Sequence, residues 1–307
     1  MSDVVVIGSL NMDYSFYLKL FPKVSETVLA EGSKISFGGK GANQAIACAR
    51  QGASVSFIGA VGSDLEGESM VAALQSEGIE TKGIVRKEVA SGKAVIFVDD
   101  NADNQIVVYK GANFELNVAD IKKFETLICE AKYCIMQFEI PLEVIYYVLK
   151  LCKDNNVKTI LNPAPYQVEF KEEYYQYVDL ATPNENEFAL LMKEEGNIDL
   201  LAQKYYELYH NELIVTLGKE GTYLYLNDYQ GCQPAFAIEA SDPTAAGDTY
   251  VGSLVACLVA GNNLQEADCH ARKAAALSVS KLGAQEAIST KKEVEDHFNK
   301  YKGLGIK

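Results

Sequence analysis

The 307-residue sequence contains no tryptophan, only three histidines and seven cysteines. The cysteines are odd in number, form no CxxC pair and share no zinc-ligand spacing with the histidines. These absences argue against a disulfide framework, a zinc enzyme and a Cys/His nucleophile. Most cysteines lie in apolar segments such as AIACAR and LVACLVAG, so we expect reduced and mostly buried thiols.

Basic residues are also scarce, because 28 Lys and Arg stand against 42 Asp and Glu and give a formal charge of -14. Nucleic acids attract dense patches of Lys and Arg, and none occurs here. We therefore expect no nucleic-acid partner. Any phosphate that the protein binds must be held by a small local site.

The sequence lacks a long hydrophobic run. Its longest apolar segment, residues 251–260, contains Gly252 and Ser253 and is far shorter than the roughly 20 residues that span a bilayer. The first residues, MSDVVVIGSL, enter a strand pattern directly and show no basic region followed by an apolar stretch of signal length. We expect a cytoplasmic protein with no membrane partner.

Short apolar runs alternate with helical patterns along most of the chain. VVVIGSL, SVSFIGAV, YCIMQF, VKTILNP, VDLATPN and LIVTLG are typical of buried strands, while helical patterns cover 40–50, 65–75, 142–153 and the residues after Asn184. This alternation predicts an α/β fold with a doubly wound, mostly parallel sheet and helices on both faces. We expect residues 1–307 to form a single domain.

Two segments, about 12–37 and 91–110, interrupt this alternation because no helix separates their strand-like runs. In GKAVIFVDDNADNQIVVYKG, two apolar runs flank a loop rich in Asp and Asn, as in a β-hairpin. Such ribbons could form a small β lid that excludes water from a reaction. Plain edge strands would give the same pattern, and both interpretations stay open.

Glycine and lysine occur together in GGKGANQA and VTLGKEG. Neither is a P-loop, because Gly41 and Glu220 follow the lysines where Ser or Thr is required, and no GxGxxG follows a strand. In FGGKGANQA the glycines would let a polar ligand approach the N-terminus of a helix. The alternative is an ordinary tight turn with an exposed Lys40, in which Asn43 caps the helix.

Polar side chains follow several of the buried strands. Asn11 and Asp13 lie two residues apart on one side of an extended chain and suit a polyol, although an Asx turn is the alternative. Glu139 follows another strand, at the edge where open α/β sheets bind ligands. Asn184 and Glu187 share one side of a first helical turn, where they favour the helix dipole or hold Mg²⁺ through water.

The stretch SDPTAAGDTYVG opens an apolar helix that we expect to begin near Ala246 or Gly247. The N–H groups of residues 245–248 would then lack partners in the helix and form an anion hole. Asp248 beside it can accept a proton from an attacking hydroxyl, as phosphoryl transfer requires. The alternative is helix capping, for which Thr244 would suffice.

These motifs occur in a fixed order over essentially the whole chain: GSLNMD, FGGKGANQA, MQFEIP, NPAP, TPNENE, VTLGKEG, PTAAGDT and KLGAQ. Together they resemble the PfkB carbohydrate kinases, most closely the members that phosphorylate ribose, and the pair GGKGANQA and AAGDT is the most specific. The resemblance implies transfer of the γ-phosphoryl group of ATP, with Mg²⁺, to the primary (O5) hydroxyl of D-ribose. It also implies a homodimer joined through the β lid.

The resemblance implies a role for each matching position. The catalytic base is Asp248, with the anion hole formed by the backbone of Ala245, Ala246, Gly247 and Asp248. The sugar contacts are Asn11, Asp13, Gly39, Lys40, Asn43, Glu139 and Asp248. The nucleotide contacts are Asn184, Glu187, Thr216, Gly218 and Gly221, with Glu187 also on Mg²⁺ through water.

A monovalent cation, K⁺, is implied near the anion hole, with its candidate ligands at Asp242, Thr244, Ser278, Lys281 and Gly283. Two departures from the family pattern bear on it. Pro243 replaces a common Thr, which fixes φ but keeps the carbonyl. Glu286 and Ala287 replace Pro-Ser, so a serine ligand is missing or comes from Ser289. Dependence on K⁺ therefore stays open.

Two alternatives to a ribose kinase remain. One is a family kinase for deoxyribose, another sugar or a nucleoside, and the lid residues near Ala94 and Val108 should discriminate, since they set the room at C1 and C2 of the sugar. The other is a non-catalytic sugar or nucleotide sensor on the same fold. The presence of Asp248 and of the glycines favours catalysis.

Overall fold

The computed structural model describes residues 2–101 and 103–302. The strands are β1 (Val4–Ile7), β2 (Asn11–Tyr17), β3 (Gly32–Gly38), β4 (Val55–Gly62), β5 (Glu80–Lys87), β6 (Gly92–Val98), β7 (Asn104–Tyr109), β8 (Tyr133–Gln137), β9 (Lys158–Asn162), β10 (Leu180–Ala181), β11 (Glu212–Thr216), β12 (Thr222–Tyr225) and β13 (Gln230–Gln233). The α-helices are α1 (Lys40–Arg50), α2 (Leu65–Ser76), α3 (Val118–Ile121), α4 (Glu125–Cys129), α5 (Leu142–Asp154), α6 (Glu185–Met192), α7 (Ile198–Tyr209), α8 (Ala246–Val259), α9 (Leu264–Ser278) and α10 (Lys291–Lys302). Short 3₁₀ helices cover Gly111–Glu115, Lys122–Phe124, Glu172–Tyr177 and Gly218–Glu220.

The larger sheet has nine strands in the order β13-β12-β11-β10-β9-β8-β1-β4-β5. Strands from β11 to β5 pair in parallel, whereas β12 and β13 add an antiparallel edge. The predicted doubly wound, mostly parallel sheet is therefore confirmed. The carboxyl ends of β1, β8 and β9 lie side by side, which brings the loops after them together.

Both faces of this sheet are covered by helices, as the continuous apolar strands require. In β1, Val5 and Ile7 pack into the core on the side of α5, while Val4 and Val6 pack on the side of α1 and α8. Successive residues of a strand point to opposite faces, and helices cover both faces, so all four side chains are fully buried. This layer holds α1 and α8 against the sheet close to the loops that carry the candidate site.

The two ribbon segments form one separate sheet, in the order β3-β2-β6-β7. Each ribbon is antiparallel, and the two ribbons join through a parallel pairing of β2 with β6, which the sequence pattern did not predict. Directly paired residues share a face of a sheet. Asp13 therefore lies on one face with Ser36, Ala94 and Val108.

Several local predictions are confirmed or wrong in detail. Helix α1 spans the predicted residues, and α8 begins at Ala246. The strand predicted in VDLATPN is only two residues long. The expectation of mostly buried cysteines is wrong: all seven are free, but only Cys48, Cys134 and Cys152 are buried. Cys232 is exposed because it lies on the edge strand β13. Within the described ranges, no helix is long and apolar enough to cross a bilayer.

Candidate active site

The carboxylate of Asp248 lies at the N-terminus of α8 and is only 6% exposed. Its Oδ2 accepts a hydrogen bond from Asn43 Nδ2 at 2.9 Å, and its Oδ1 accepts one from Gln44 Nε2 at 2.9 Å. Both donors belong to the first turns of α1, which packs against α8. Each carboxylate oxygen thus keeps a free lone pair in a fixed direction, as a proton acceptor requires.

A chain of buried amide side chains holds these donors in place. Gln137 Nε2 donates to Gln44 Oε1 at 2.6 Å, and Gln44 Nε2 also donates to Asn162 Oδ1 at 3.0 Å. From the other side, Gln285 Nε2 donates to Asn43 Oδ1 at 3.2 Å. The amide chain therefore spans the ends of β8 and β9, α1 and the loop after α9, and it orients Asp248.

The backbone at the start of α8 is partly free to bind an anion. Ala245 is the N-cap residue with a left-handed φ of 59° and no capping side chain, so the alternative of capping by Thr244 is wrong. Ala246 N–H donates to Pro243 O at 3.2 Å, so the expectation of four unpaired donors is also wrong. In the part of the chain that the structure describes, the N–H groups of the other three residues, Ala245, Gly247 and Asp248, have no protein acceptor.

The glycines of FGGKGANQA allow the start of α1 to pack closely against the loop after β1. A Cβ on Gly39, whose φ is 91°, would lie 2.9 Å from Asn11 N and from Ser9 O. A Cβ on Gly41 would lie 2.5 Å from Ser9 N. The loop after β1 and the start of α1 are thus pressed together because neither glycine carries a side chain. The alternative of Asn43 as a cap is wrong, since Gly39 is the N-cap residue.

Lys40 is partly buried at this junction, so the alternative of an exposed lysine is wrong. Burial alone would lower the pKa of its ammonium group, but nearby carboxylates outweigh burial and raise that pKa: those of Asp248, Glu139 and Glu187. The ammonium therefore stays charged. It interacts electrostatically with Glu139 after β8 and with Glu187 on α6.

Glu139 lies two residues after the end of β8, as predicted. Its Oε2 accepts from Ser9 Oγ at 2.5 Å and from the backbone N–H of Lys40 at 3.0 Å. Asn11 begins β2 and is buried, and its Oδ1 accepts from Asn113 Nδ2 at 2.9 Å. The Asx-turn alternative is wrong, because Asn11 and Asp13 lie within a strand.

Asp13 faces this junction from the four-stranded sheet β3-β2-β6-β7, which we call the lid sheet. Burial, followed by the charges of Glu139 and Glu286, raises the pKa of Asp13 to about 7. Its carboxylate occupies the space beside Gly38, where any Cβ would overlap it. An uncharged, hydroxyl-rich ligand could replace the lost water around this carboxyl group, whereas an anionic ligand would be repelled by it.

A cavity of about 1130 Å³ opens beside these groups. Asn11, Asn113, Val108 and Glu139 are among its lining residues, and it extends toward α6. Asp248 does not line it, so the cavity covers the lid side of the candidate site and not the whole site. The hydrogen bonds around Asp248 locate the reacting group more directly than the cavity does.

Asn184 and Glu187 form a capping box at the start of α6. Glu187 N–H donates to Asn184 Oδ1 at 2.8 Å, and Asn184 N–H donates to Glu187 Oε2 at 2.9 Å. This reciprocal capping was not predicted from the sequence, which suggested only the helix dipole or Mg²⁺ for this pair. Burial, only partly offset by the Asn184 N–H and by Lys40, raises the pKa of Glu187, which also feels the charge of Asp248.

The turn after β11 lies next to this box, since a parallel bridge joins Asn184 to Thr216. Leu217 N–H donates to Gly221 O at 2.8 Å and closes the turn, with positive φ at Gly218 and Gly221. The structure thus brings together the predicted nucleotide residues from two separate motifs.

The candidate cation ligands are also brought together. Asp242 Oδ1 accepts from Thr244 N–H and its Oδ2 from Gly283 N–H, each at 2.9 Å. Burial would raise the pKa of Asp242, but these hydrogen bonds and the charge of Lys34 lower it. Ser289 Oγ accepts from Lys281 Nζ at 2.9 Å, so it is already engaged by an ammonium group.

Comparison with known proteins decides the family. Residues 1–291 match the family described as pfkB family carbohydrate kinase. The chain belongs to this family. A ribokinase of Haemophilus influenzae is 37% identical over 94% of this chain and 96% of its own length. A deoxyribokinase of Salmonella typhi is 32% identical over 98% of this chain and 99% of its own length.

Solved structures agree with this assignment. A ribokinase from Thermotoga maritima superposes with a TM-score of 0.89 at 34% identity, over 97% of this chain and all of that one (100%). An Arabidopsis thaliana ribokinase complexed with ribose and ATP has a TM-score of 0.87 at 27% identity, over 96% of this chain and 98% of that one. The fold of this carbohydrate kinase is thus that of the ribokinase structures, with the lid sheet as its second, smaller sheet.

Sequence reasoning missed five amide residues in this carbohydrate kinase: Gln44, Asn113, Gln137, Asn162 and Gln285. All but Asn113 lie inside motifs that had been singled out, namely GGKGANQA, MQFEIP, NPAP and KLGAQ, but these four had been given no role. Nothing in the local pattern marks Asn113, which reaches the site because its side chain bonds both the N–H and the carbonyl of Leu10 at 3.0 Å.

Proposed function

We propose that this carbohydrate kinase transfers the γ-phosphoryl group of ATP to the primary (O5) hydroxyl of D-ribose. The observation that carries the proposal is the buried Asp248 carboxylate, fixed by two amide donors beside the unpaired N–H groups that begin α8. The similarity to the ribokinases, one of them complexed with ribose and ATP, supports ribose as the substrate.

In the proposed reaction, Asp248 accepts the proton of the O5 hydroxyl as that oxygen attacks the γ-phosphorus, and the bond to the β-phosphate oxygen breaks. The N–H groups of Gly247 and Asp248, with the backbone of Ala245 and Ala246 around them, stabilise the charge on the transferred phosphoryl group. Asn43 and Gln44 hold the carboxylate in line with the attacking oxygen. Positioning supplies most of the rate acceleration, because phosphoryl transfer requires little covalent chemistry from the protein.

The sugar would bind between the end of β8 and the lid sheet. Asn11, Asp13 and Glu139 offer acceptors to its hydroxyl groups, Asn43 offers an amide, and the backbone at Gly39 and Lys40 closes the site. On the lid, Ala94 pairs with Val108 on the face that carries Asp13. These two side chains would contact the apolar edge of the sugar near C1 and C2.

The nucleotide would bind along the neighbouring strand ends, between the capping box of Asn184 and Glu187 and the turn of Thr216, Gly218 and Gly221. The bridge between Asn184 and Thr216 supports a shared phosphate site. Magnesium, held through water by Glu187, would neutralise phosphate charge there. Burial raises the pKa of the Glu187 carboxylate, which forms no ion pair among the described residues. Such a carboxylate suits a divalent cation such as Mg²⁺.

Monovalent cation ligands are present in part. The carboxylate of Asp242 and the carbonyls of Thr244, Ser278, Lys281 and Gly283 would hold K⁺ and place its charge beside the anion hole. The fit rests on Asp242, which already joins Thr244 to Gly283. Ser289 is engaged by Lys281 and does not replace the serine ligand that Ala287 lacks.

A homodimer through the lid sheet is the proposed assembly. On the face opposite Asp13, Ile35 and Val107 are each 63% exposed, and Tyr109 is 51% exposed. A second copy of this apolar face would cover these side chains. The single-domain organisation and the cytoplasmic location stay predictions.

A coupled ADP-release assay over a pentose panel, with and without K⁺, tests the proposed function. We expect turnover with ribose that requires Mg²⁺, and absence of turnover with ribose would contradict the proposal. Deoxyribose is the second candidate, because a deoxyribokinase is among the similar proteins. A higher kcat/KM for deoxyribose than for ribose would establish it.

The same panel should include nucleosides, and calorimetry should accompany it. Tight binding of ribose without any ATP consumption would indicate a sugar sensor on a kinase fold. The preserved Asp248 network argues for turnover, since a sensor has no use for a proton acceptor at this position.

A further inference from the structure

Two residues that have no role in the proposed function form a buried ion pair on α9. Asp268 and Arg272 are one helical turn apart on α9, and Arg272 Nε donates to Asp268 Oδ2 at 2.7 Å. Asp268 is 0% exposed and Arg272 9% exposed. A buried charge is costly unless it is paired and fully hydrogen-bonded, so each further contact of this pair carries information about its role.

Asp268 joins two elements that flank the candidate nucleotide site. Its Oδ1 accepts from Thr222 Oγ1 at 2.7 Å and from Tyr250 OH at 2.8 Å. Thr222 directly follows Gly221, the last residue of the proposed nucleotide turn. Tyr250 lies on α8, two residues after the proposed base Asp248. One carboxylate oxygen therefore ties the nucleotide turn to the catalytic helix.

Arg272 holds the segment that packs against that turn. One terminal nitrogen donates to Pro234 O at 2.6 Å, and the guanidinium lies 5.3 Å from the centre of the Phe236 ring. A Cβ on Gly221 would overlap the carbonyl oxygen of Gln233 and lie 2.6 Å from Ala235 N. The turn at Gly221 thus rests directly on the segment that Arg272 fixes.

We infer that Asp268 and Arg272 are positioning residues for the nucleotide, which set the turn at Gly218–Gly221 relative to the N-terminus of α8. The inference rests on the proposed function in assigning that turn to ATP. A guanidinium presents donors in fixed directions, so it defines the place of Pro234 more sharply than a flexible ammonium would. Apolar residues of the same volume would fill the space but would leave the turn without these directional contacts.

The variant Arg272→Lys tests this role because it keeps a positive charge beside Asp268 and removes the terminal nitrogen that donates to Pro234 O. We expect KM for ATP and the Kd for ADP to rise about fivefold, because the directional contacts beneath the nucleotide turn are lost. KM for the sugar should stay within about twofold of wild type. Amide hydrogen exchange over residues 217–236 should become faster. The milder variant Thr222→Val, which removes one donor to Asp268, should change the same quantities by less.

Arg50→Lys is the matched control. Arg50 also pairs with a carboxylate, Glu77, and donates to two backbone carbonyls, those of Gln285 and Ile288, each at 2.6 Å. These carbonyls belong to the loop after α9 and not to the nucleotide turn, so this variant should leave the Kd for ADP and exchange over 217–236 unchanged.

Four outcomes would overturn the inference: an unchanged Kd for ADP in Arg272→Lys, unchanged exchange over 217–236 in that variant, an equal rise in the KM values for ATP and sugar, or the same change in Arg50→Lys. The exchange measurement requires no ligand and no turnover. If the wild type phosphorylates no sugar, the proposed function fails, and unchanged exchange over 217–236 would still overturn the inferred role of Arg272.

Discussion

The sugar side and the nucleotide side of the candidate site are built differently. On the sugar side, Asp248, Asn43 and Gln44 are buried and hydrogen-bonded to each other. On the nucleotide side, Lys219 and Glu220 of the turn and most of residues 239–244 are exposed. Side-chain hydrogen bonds thus orient the proposed proton acceptor, whereas the phosphate groups would meet a surface of turns and helix ends.

This difference follows from the chemistry that each side would perform. A general base must lie within hydrogen-bonding distance of the proton in a defined direction, which a network of side chains can provide. Phosphate charge is bound by backbone N–H groups and cations, which require accessible turns and helix termini. Changes to the hydrogen bonds around Asp248 should therefore reduce kcat, and changes on the nucleotide side should raise the KM for ATP.

The largest expected effect is that of Asp248→Asn. The amide cannot accept the proton of the hydroxyl, so we expect kcat to fall by about 1000-fold, within the range for removal of a general base. Calorimetry should show nearly unchanged ribose binding and thermal unfolding should show a retained fold. Retained activity would reject Asp248 as the base.

Gln44→Leu should have the next largest effect. It removes the donor to Asp248 Oδ1 while leaving Asn43 in place, so misalignment of the carboxylate should lower kcat by about 10-fold to 100-fold. Gln51→Leu is the matched control, because Gln51 is a buried glutamine at the other end of α1 that donates to Ser289 O at 2.8 Å. An equal loss of kcat in both variants would show a general packing effect.

Glu187→Gln tests the nucleotide side. We expect KM for MgATP to rise about tenfold, since the negative charge that would hold Mg²⁺ through water is lost, and kcat with saturating MgATP to change less. Glu266→Gln controls for the loss of charge in a capping box, because Asn263 and Glu266 form the same box on α9 and Gln can still accept from the N-cap N–H. A fall in kcat with unchanged KM for MgATP would contradict the assigned role.

The pH dependence of sugar binding should report on Asp13, whose pKa is raised to about 7. If the ionised carboxylate accepts from the sugar, protonation weakens binding, so KM for the sugar at pH 6 should be about tenfold above its high-pH limit. Because the charge of Glu286 helps to raise this pKa, Glu286→Gln should move the rise in KM to lower pH. A KM that is independent of pH between 6 and 8 would contradict this role.

The smallest effect is expected at Lys34, a lid residue whose Nζ lies 3.7 Å from Glu286 Oε1. Both side chains are partly exposed, and exposed ion pairs contribute little, so Lys34→Gln should change KM for the sugar by no more than about threefold. A Lys34→Glu, Glu286→Lys double variant should restore the wild-type value. A larger loss that the double variant does not restore would show that Lys34 acts by another contact.

Much of the fold and of the candidate site could be predicted from the sequence. Strand and helix periods gave the sheet, and the positions of Asn11, Glu139 and Asp248 at strand and helix ends placed them at one edge. The amide chain could not be predicted, because Gln44, Gln137 and Gln285 meet only through packing of distant segments. The unpaired N–H groups were overcounted because the hydrogen bond from Ala246 to Pro243 depends on the left-handed Ala245.

The position of the transferred phosphoryl group tests the central claim most directly. After reaction of ribose with MgATP, the phosphorus–proton correlation NMR spectrum should show the phosphate coupled to the two protons on C5, because Asp248 is expected to deprotonate the primary hydroxyl. A phosphate coupled to the anomeric proton, or release of inorganic phosphate without a sugar ester, would contradict the account.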